Sequence, residues 1–185
     1  VTISTGVGGG IIASSEMVTG SAGGAGEVGH LAVRTGAYKC NVGCDGCFEG
    51  NASGPAIAKI ARDRWTGEGS LADLANGDPE NITSRMVFDA ADDGDPVAQG
   101  VVDLTIQNVS IGLGMLINVF NPEALVIGGG VVQGLQRHWE KLKETVIEKS
   151  LPGYGKTTPL TATRLGDDVS LLGAAQLAFR QARRQ

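Results

Sequence analysis

Val1-Thr2-Ile3-Ser4-Thr5-Gly6-Val7-Gly8-Gly9-Gly10 opens the chain. The β-branched run Val1–Thr5 predicts a short strand, and Ile11–Ser15 predicts a second one beyond the glycines. Glycines let backbone N–H groups approach an anion closely, and a Thr hydroxyl can donate to a phosphate oxygen. Thr5, Gly6, Gly8 and Gly9 are therefore candidates for a phosphate contact. A tight hairpin is the other reading of the same residues. No Gly-Lys-Ser/Thr follows, so this is not a Walker A loop. A strand rather than a helix is expected next, so a dinucleotide fingerprint does not fit either.

Outward from this loop the chain stays rich in small residues through Gly20-Ser21-Ala22-Gly23-Gly24-Ala25-Gly26, and then chemistry begins. Gly26-Glu27-Val28-Gly29-His30 precedes Cys40, Cys44 and Cys47, and Glu49 follows. The three cysteines lie within eight residues and are the only ones in the chain. An odd, clustered set fits a metal in a reducing, cytoplasmic setting better than a disulfide framework. His30 with Cys40, Cys44 and Cys47 makes a Cys3His zinc set. Four protein ligands leave no open position, so such a metal would fasten loops rather than catalyse. The alternative is three reduced loop thiols and an unrelated imidazole. Glu27 and Glu49 flank the cluster as acceptors suited to hydroxyl donors, or as solvated charges.

The rest of the chain predicts an α/β domain covering residues 1–185. Leu31–Val33 reads as a short strand. Ser53 caps a helix from Pro55 to about Trp65, a turn follows at Leu71–Ala75, and Thr83 caps a helix to about Ala91. Asp95-Pro96 opens a long helix, with Val97, Val101, Leu104, Val109, Leu113, Leu116 and Val119 at helical spacing, that stops at Asn121-Pro122. Its Gly112 and Gly114 read as packing positions. Ala124–Ile127 is a buried strand closed by Gly128-Gly129-Gly130. A helix from Leu135 to Lys149 carries His138 as a surface or partner-contact residue, Leu160–Arg164 is an edge strand, and Leu171–Arg183 is the last helix. Arg180, Arg183 and Arg184 sit where cations suit its dipole.

Composition narrows the function. A net charge of -5 and 4% aromatic residues argue against nucleic-acid binding. No stretch reads as the roughly 20 apolar residues a membrane span needs. The chain starts at Val1 without an initiator Met, which reads as a fragment.

Taken together, Ile3 through His30 resembles the signature of the ROK family of repressors, open reading frames and sugar kinases: Gly6-Val7-Gly8, Gly10-Ile11, Gly20, Gly26 and Gly29-His30 fall in its pattern. The segment from Cys40 to Glu49 resembles the family's C-x-C-G-x-x-G-C-x-E zinc segment, with Ser53-Gly54 following. Asn121-Pro122-Glu123 running into Val126-Ile127-Gly128-Gly129-Gly130 is similar to its nucleotide-contacting strand and turn. Leu165-Gly166-Asp167-Asp168 with Leu172-Gly173-Ala174-Ala175 is similar to its last turn and helix. The resemblance implies a lobe of ribonuclease H-like, actin-type ATPase fold, a mixed sheet with flanking helices. It implies that Glu27, His30 and Glu49 hold sugar hydroxyls, that His30 also ligates a structural Zn2+, and that Thr5 with its glycines and Gly128–Gly130 face ATP and its Mg2+. It implies a homodimer and a hexokinase, glucokinase above all. Two positions depart from the pattern. Val42 stands where the family has its second cysteine, leaving Cys44 as the substitute, and Ser4 stands where Gly is usual. No segment of this chain matches the family's first phosphate loop or catalytic Asp, so the general base is expected upstream and the isolated chain is expected to be inactive. Competing readings are the sugar-sensing effector domain of a ROK repressor and a zinc-stabilised interaction module.

Overall fold

The computed structural model describes residues 1–183. Its first strands are shorter than the sequence suggests. β1 (Thr2–Ile3) pairs antiparallel with β2 (Val7–Gly8), and β3 (Ile12–Ala13) pairs with β4 (Glu16–Met17). The two expected strands therefore do not pair with each other around a glycine loop. The chain turns at 4–6, and Val7-Gly8 becomes the return strand. Val7 makes this possible, because it supplies a buried apolar side chain between glycines. Leu31–Val33 is not a strand either. It contributes one bridge, Ala32 to Cys47.

The helices follow their local chemistry. α1 (Phe48–Ala52) starts behind Cys47, and α2 (Gly54–Asp63) behind Ser53, whose side chain accepts the Ala56 N–H. α3 (Ser70–Leu74) is the expected turn. α4 (Ser84–Asp92) is capped by Thr83 and α5 (Pro96–Phe120) by Asp95, each through its side-chain oxygen. α5 ends on Asn121 in the left-handed region, before Pro122. By length and composition α5 could cross a membrane, contrary to the sequence reading, and 67% of its most apolar window is buried inside the protein. That burial explains its apolar character: α5 is the central post against which α4, α7 (Trp139–Lys149) and α1 pack. A β-carbon at Gly112 would lie 2.6 Å from the Phe48 ring, and one at Gly114 would lie 2.8 Å from the Lys149 carbonyl oxygen. Both are packing positions.

β5 (Leu125–Ile127) turns through the glycines into α6 (Gly130–Leu135). The expected helix from Leu135 is broken there, because a 3-10 turn at Gln136–His138 separates α6 from α7. His138 is not a free surface residue. Its ring lies 6.4 Å from that of Phe88, and its Nε2 is buried 3.7 Å from Asp92 Oδ1. After the single turn α8 (Tyr154–Thr157), β6 (Leu160–Ala162) pairs parallel with β5. β5 also meets β1, since Ile3 N–H donates to the Gly128 carbonyl at 2.8 Å and Gly128 N–H to the Val1 carbonyl at 2.9 Å. The strands thus line up β2-β1-β5-β6 in a mixed array, with Ile3, Leu125 and Ile127 pointing into the core. α9 (Val169–Ala182) closes the described chain. Arg180 ties it to the β3–β4 hairpin by donating to the Ser15 carbonyl at 2.6 Å. Arg184 lies outside the described residues. One contiguous apolar cluster runs from Ile3 to Val146.

Candidate active-site lobe and metal centre

Val7 anchors the expected sugar residues. Its N–H donates to Glu49 Oε2 at 3.0 Å, which fixes the first turn of α1 against β2. Its carbonyl oxygen lies under Gly29, where a β-carbon would come within 2.1 Å of it. Only glycine permits that approach, and it lays the 3-10 turn Val28–His30 directly on the strand. Gly9 N–H donates to the Gly26 carbonyl at 3.1 Å and secures the near end of the same turn. Glu27, His30 and Glu49 are thereby carried on two elements locked to one short strand.

The cysteine loop folds as a small hairpin. Lys39 bridges Asp45, Cys40 N–H donates to the Cys44 carbonyl at 3.2 Å, and Gly43 N–H donates to the Cys40 carbonyl at 2.9 Å. This brings the Cys40 and Cys44 sulfurs to 3.8 and 3.6 Å from His30 Nδ1. All three ligand atoms lie within 4.8 Å of one another. A tetrahedron with ordinary zinc–sulfur and zinc–nitrogen bonds has edges of about 3.6 Å between N and S and about 3.8 Å between sulfurs. The trio fits such an ion. Val42 occupies the hairpin tip with 72% of its surface exposed. Cys47 sits deeper. It is buried and caps α1 by accepting the Gly50 N–H at 3.3 Å, and it is not part of the group whose ligand atoms all lie within 4.8 Å of one another, so the structure brings together three of the four expected ligands.

The thiols do not titrate alike. Desolvation pulls the Cys40 thiol up, but the Val42 and Cys44 N–H groups and the neighbouring Cys47 and Cys44 thiols outweigh it and lower it to about 7. Hydrogen bonding with Cys40 raises Cys44, and burial raises Cys47. Cys40 is thus the thiol that ionises first, and a bound cation would displace the protons of the other two.

The imidazole faces two ways. Nδ1 turns to the sulfurs, while Nε2 turns outward, 3.8 Å from Glu27 Oε2. Thr5 and Glu49 border a small cleft of about 100 Å³ together with Lys39, Cys40, Asn41 and Lys59, and neither Glu27 nor His30 lines it. The two lysines went unnoticed in the sequence. Lys39 looks like an ordinary flank of Cys40, and Lys59 reaches the cleft only because α2 follows α1 so closely, with its ammonium 5.4 Å from the Tyr38 ring centre.

The glycine turns lie side by side on β1 and β5. Gly129, with φ of 102°, packs on Ile3, and no atom lies within 4 Å of where Gly8 or Gly130 would carry a β-carbon. Gly6 instead faces the Glu49 carboxylate, and Gly128 faces Thr163. Space is open beside Gly8, at the end of β2, and beside Gly130, at the start of α6. A wider, mostly apolar hollow of about 810 Å³ between Trp139, Val126 and β6 holds none of the expected site residues.

A mixed strand array with paired glycine turns at its edge defines a lobe of the actin-like ATPase class. A ROK family glucokinase from Streptomyces griseus, solved in complex with glucose and AMPPNP, superposes on it with a TM-score of 0.83 at 32% identity, covering 95% of this chain and 58% of that one. The sequence matches the ROK family over residues 1–181, and the chain belongs to that family. Glucokinase of Thermotoga maritima is 33% identical over 178 residues, 96% of this chain and 56% of the relative. A ROK family transcriptional regulator, a homologue of the E. coli MLC protein, superposes with a TM-score of 0.73 at 32% identity, covering 87% of this chain and 40% of that one. The chain therefore spans little more than half the length of the kinases it matches.

Proposed function

We propose that this chain is the sugar-gripping lobe of a hexokinase that transfers a phosphoryl group from ATP to glucose, giving glucose 6-phosphate. The observation that carries the reading is the two-faced imidazole of His30, with one nitrogen toward two sulfurs and the other toward Glu27. Zn2+ held by His30, Cys40, Cys44 and Cys47 would lock the ring's tautomer and direction. Glu27 and Glu49 accept from sugar hydroxyls, and His30 Nε2 contributes the third contact. Glu49 is preorganised for this, because Val7 N–H already holds one of its oxygens.

Thr5, through its hydroxyl, and the Gly128–Gly130 turn, through its backbone, would offer donors to the phosphates of Mg-ATP, and Gly128–Gly130 border the nucleoside; the Gly8 N–H faces Thr2 in the β1–β2 pair. In the reaction the sugar hydroxyl oxygen bonds to the γ-phosphorus while the bond to the β–γ bridging oxygen breaks. ADP leaves, and the hydroxyl proton passes to a carboxylate base. None of the carboxylates of this lobe is assigned that base, which belongs to the remainder of the protein. The lobe alone binds without turnover. A homodimer and a cytoplasmic setting, where thiols stay reduced, complete the proposal.

A second reading, the effector domain of a sugar-sensing repressor, has support in the likeness to the transcriptional regulator. Coupled ADP-release assays on the full-length protein with glucose, mannose, fructose and N-acetylmannosamine separate the two. Turnover with glucose supports the kinase. Glucose binding by titration calorimetry without turnover on any sugar would replace it with the repressor.

A further inference from the structure

The metal loop is held by something beyond its ligands. Asn51, on α1 two residues after Glu49, is fully buried. Its Nδ2 donates to the Tyr38 carbonyl at 3.2 Å and to the Cys47 carbonyl at 2.9 Å. Those carbonyls stand at the two ends of the segment carrying Cys40 and Cys44. The Tyr38 carbonyl also accepts the Gly46 N–H at 3.2 Å, so the clasp closes the hairpin at its base. Both of the amide's partners are acceptors, which fixes which way it points.

The clasp has its own mount. Asn108, fully buried on α5, donates from Nδ2 to the Asn51 carbonyl at 2.9 Å. On the same face of α1, Gly50 brings backbone against backbone: a β-carbon there would lie 2.8 Å from both Cys40 N and the Tyr38 carbonyl oxygen. A path of direct contacts thus runs from the central helix through Asn108 and Asn51 to both ends of the cysteine loop. A buried Asn carries a desolvation cost that a purely apolar contact would avoid. Its two donors are both used on the loop.

We infer that Asn51 is the positioning residue of the metal centre, holding the hairpin so that the Cys40 and Cys44 sulfurs meet His30 Nδ1 and the imidazole presents Nε2 to the sugar. The inference rests on the zinc reading above. It adds that the loop's geometry is set from α5 through one amide. Outer groups that orient metal ligands are typically worth about 10- to 100-fold in metal affinity.

The test is Asn51→Asp in the full-length protein, which keeps the side-chain shape and removes both donors. Asn51→Ala, which buries no new charge, is measured alongside in case the Asp variant fails to fold. Zinc release to a coloured chelator, glucose affinity and AMPPNP affinity are read well below the melting temperature of each variant. The expected result is zinc release about 10- to 100-fold faster, weaker glucose binding, and AMPPNP affinity within about twofold of wild type, because Gly128–Gly130 form the turn between β5 and α6, away from the clasp. Release rates unchanged in the variants would overturn the inference while leaving the zinc reading intact. AMPPNP affinity falling as far as glucose affinity would reduce Asn51 to a general stabilising role. Wild-type protein without stoichiometric zinc would remove the zinc reading, and this inference with it.

Discussion

Replacing Cys44 by Ala separates the ligand set of this chain from that of the family pattern. In the structure the Cys44 sulfur is 3.6 Å from His30 Nδ1, while Val42 stands at the exposed hairpin tip. Structural zinc sites of four ligands contribute roughly 10–16 kcal/mol of apparent binding free energy. An even share puts one ligand at about 3–4 kcal/mol, which is roughly 10²- to 10³-fold in Kd. Competition with a chelator of known affinity measures that loss directly, and glucose affinity should fall with it as His30 loses its fixed orientation. The double variant Val42→Cys with Cys44→Ala sharpens the experiment. With position 42 facing solvent, the new thiol should recover less than a tenth of the lost affinity. Two outcomes would refute the reasoning: zinc held by Cys44→Ala as tightly as by wild type, or full recovery in the double variant, which would mean the hairpin path is not the one that sets the site.

Other consequences are open to measurement. Because Cys40 is lowered to about 7 while Cys44 and Cys47 are raised, Cys40 is already mostly thiolate at pH 8, and zinc uptake there should release about two thiol protons. Three ordinary thiols with pKa near 8.5 would release about 2.3 at pH 8, and calorimetry in two buffers of different ionisation enthalpy measures the difference; the sign requires zinc affinity to fall as pH drops through 7. Gly29→Ala would set a β-carbon 2.1 Å from the Val7 carbonyl oxygen, costing about 1–3 kcal/mol by overpacking and weakening glucose binding as the Glu27–His30 turn lifts off β2, which melting curves and calorimetry should both register. Asp95 is 5% exposed, accepts the Leu71 N–H at 3.1 Å and caps α5 at Ala98. Asp95→Ala should cost about 2–4 kcal/mol, from a lost cap and a stranded amide, and lower the melting temperature by about 6–12 °C. A shift below 2 °C would show that those bonds are not made.

What the sequence disclosed was chemistry acting over a few residues. Ser53, Thr83 and Asp95 announce helix starts because each side chain bonds an amide three residues away. His30, Cys40 and Cys44, which the structure brings within 4.8 Å of one another, were legible through cysteine spacing and family resemblance, whereas Cys47, which the same spacing included, is not in that group. Long-range pairings were hidden. Nothing near Thr2 signals Gly128 as its neighbour, and the return strand Val7-Gly8 is masked by the glycines around it. The break in the 135–149 helix escaped notice because Gln136, Arg137 and His138 are ordinary helix residues, and the burial of His138 depends on α4. Asn51 could not be singled out at all, since its meaning comes from Tyr38 and Asn108, 13 and 57 residues away.

The arrangement also explains why so glycine-rich a segment can serve as a precise binding surface. Of residues 1–30, Ile3, Val7 and Val28 join the apolar core, so side-chain packing fixes part of their geometry. Backbone hydrogen bonds and close contacts supply the rest. The Val7 N–H is used by Glu49, its carbonyl receives Gly29, and its strand pairs with β1, which in turn pairs with the Gly128 turn. The proposed sugar contacts and the proposed phosphate contacts are thus tied to the same few peptide groups. A displacement of β2 would move both together, preserving the distance between hydroxyl and phosphate on which in-line transfer depends. The proposed zinc and the Asn51 clasp would then act on the one part this strand does not hold, the far side of the imidazole.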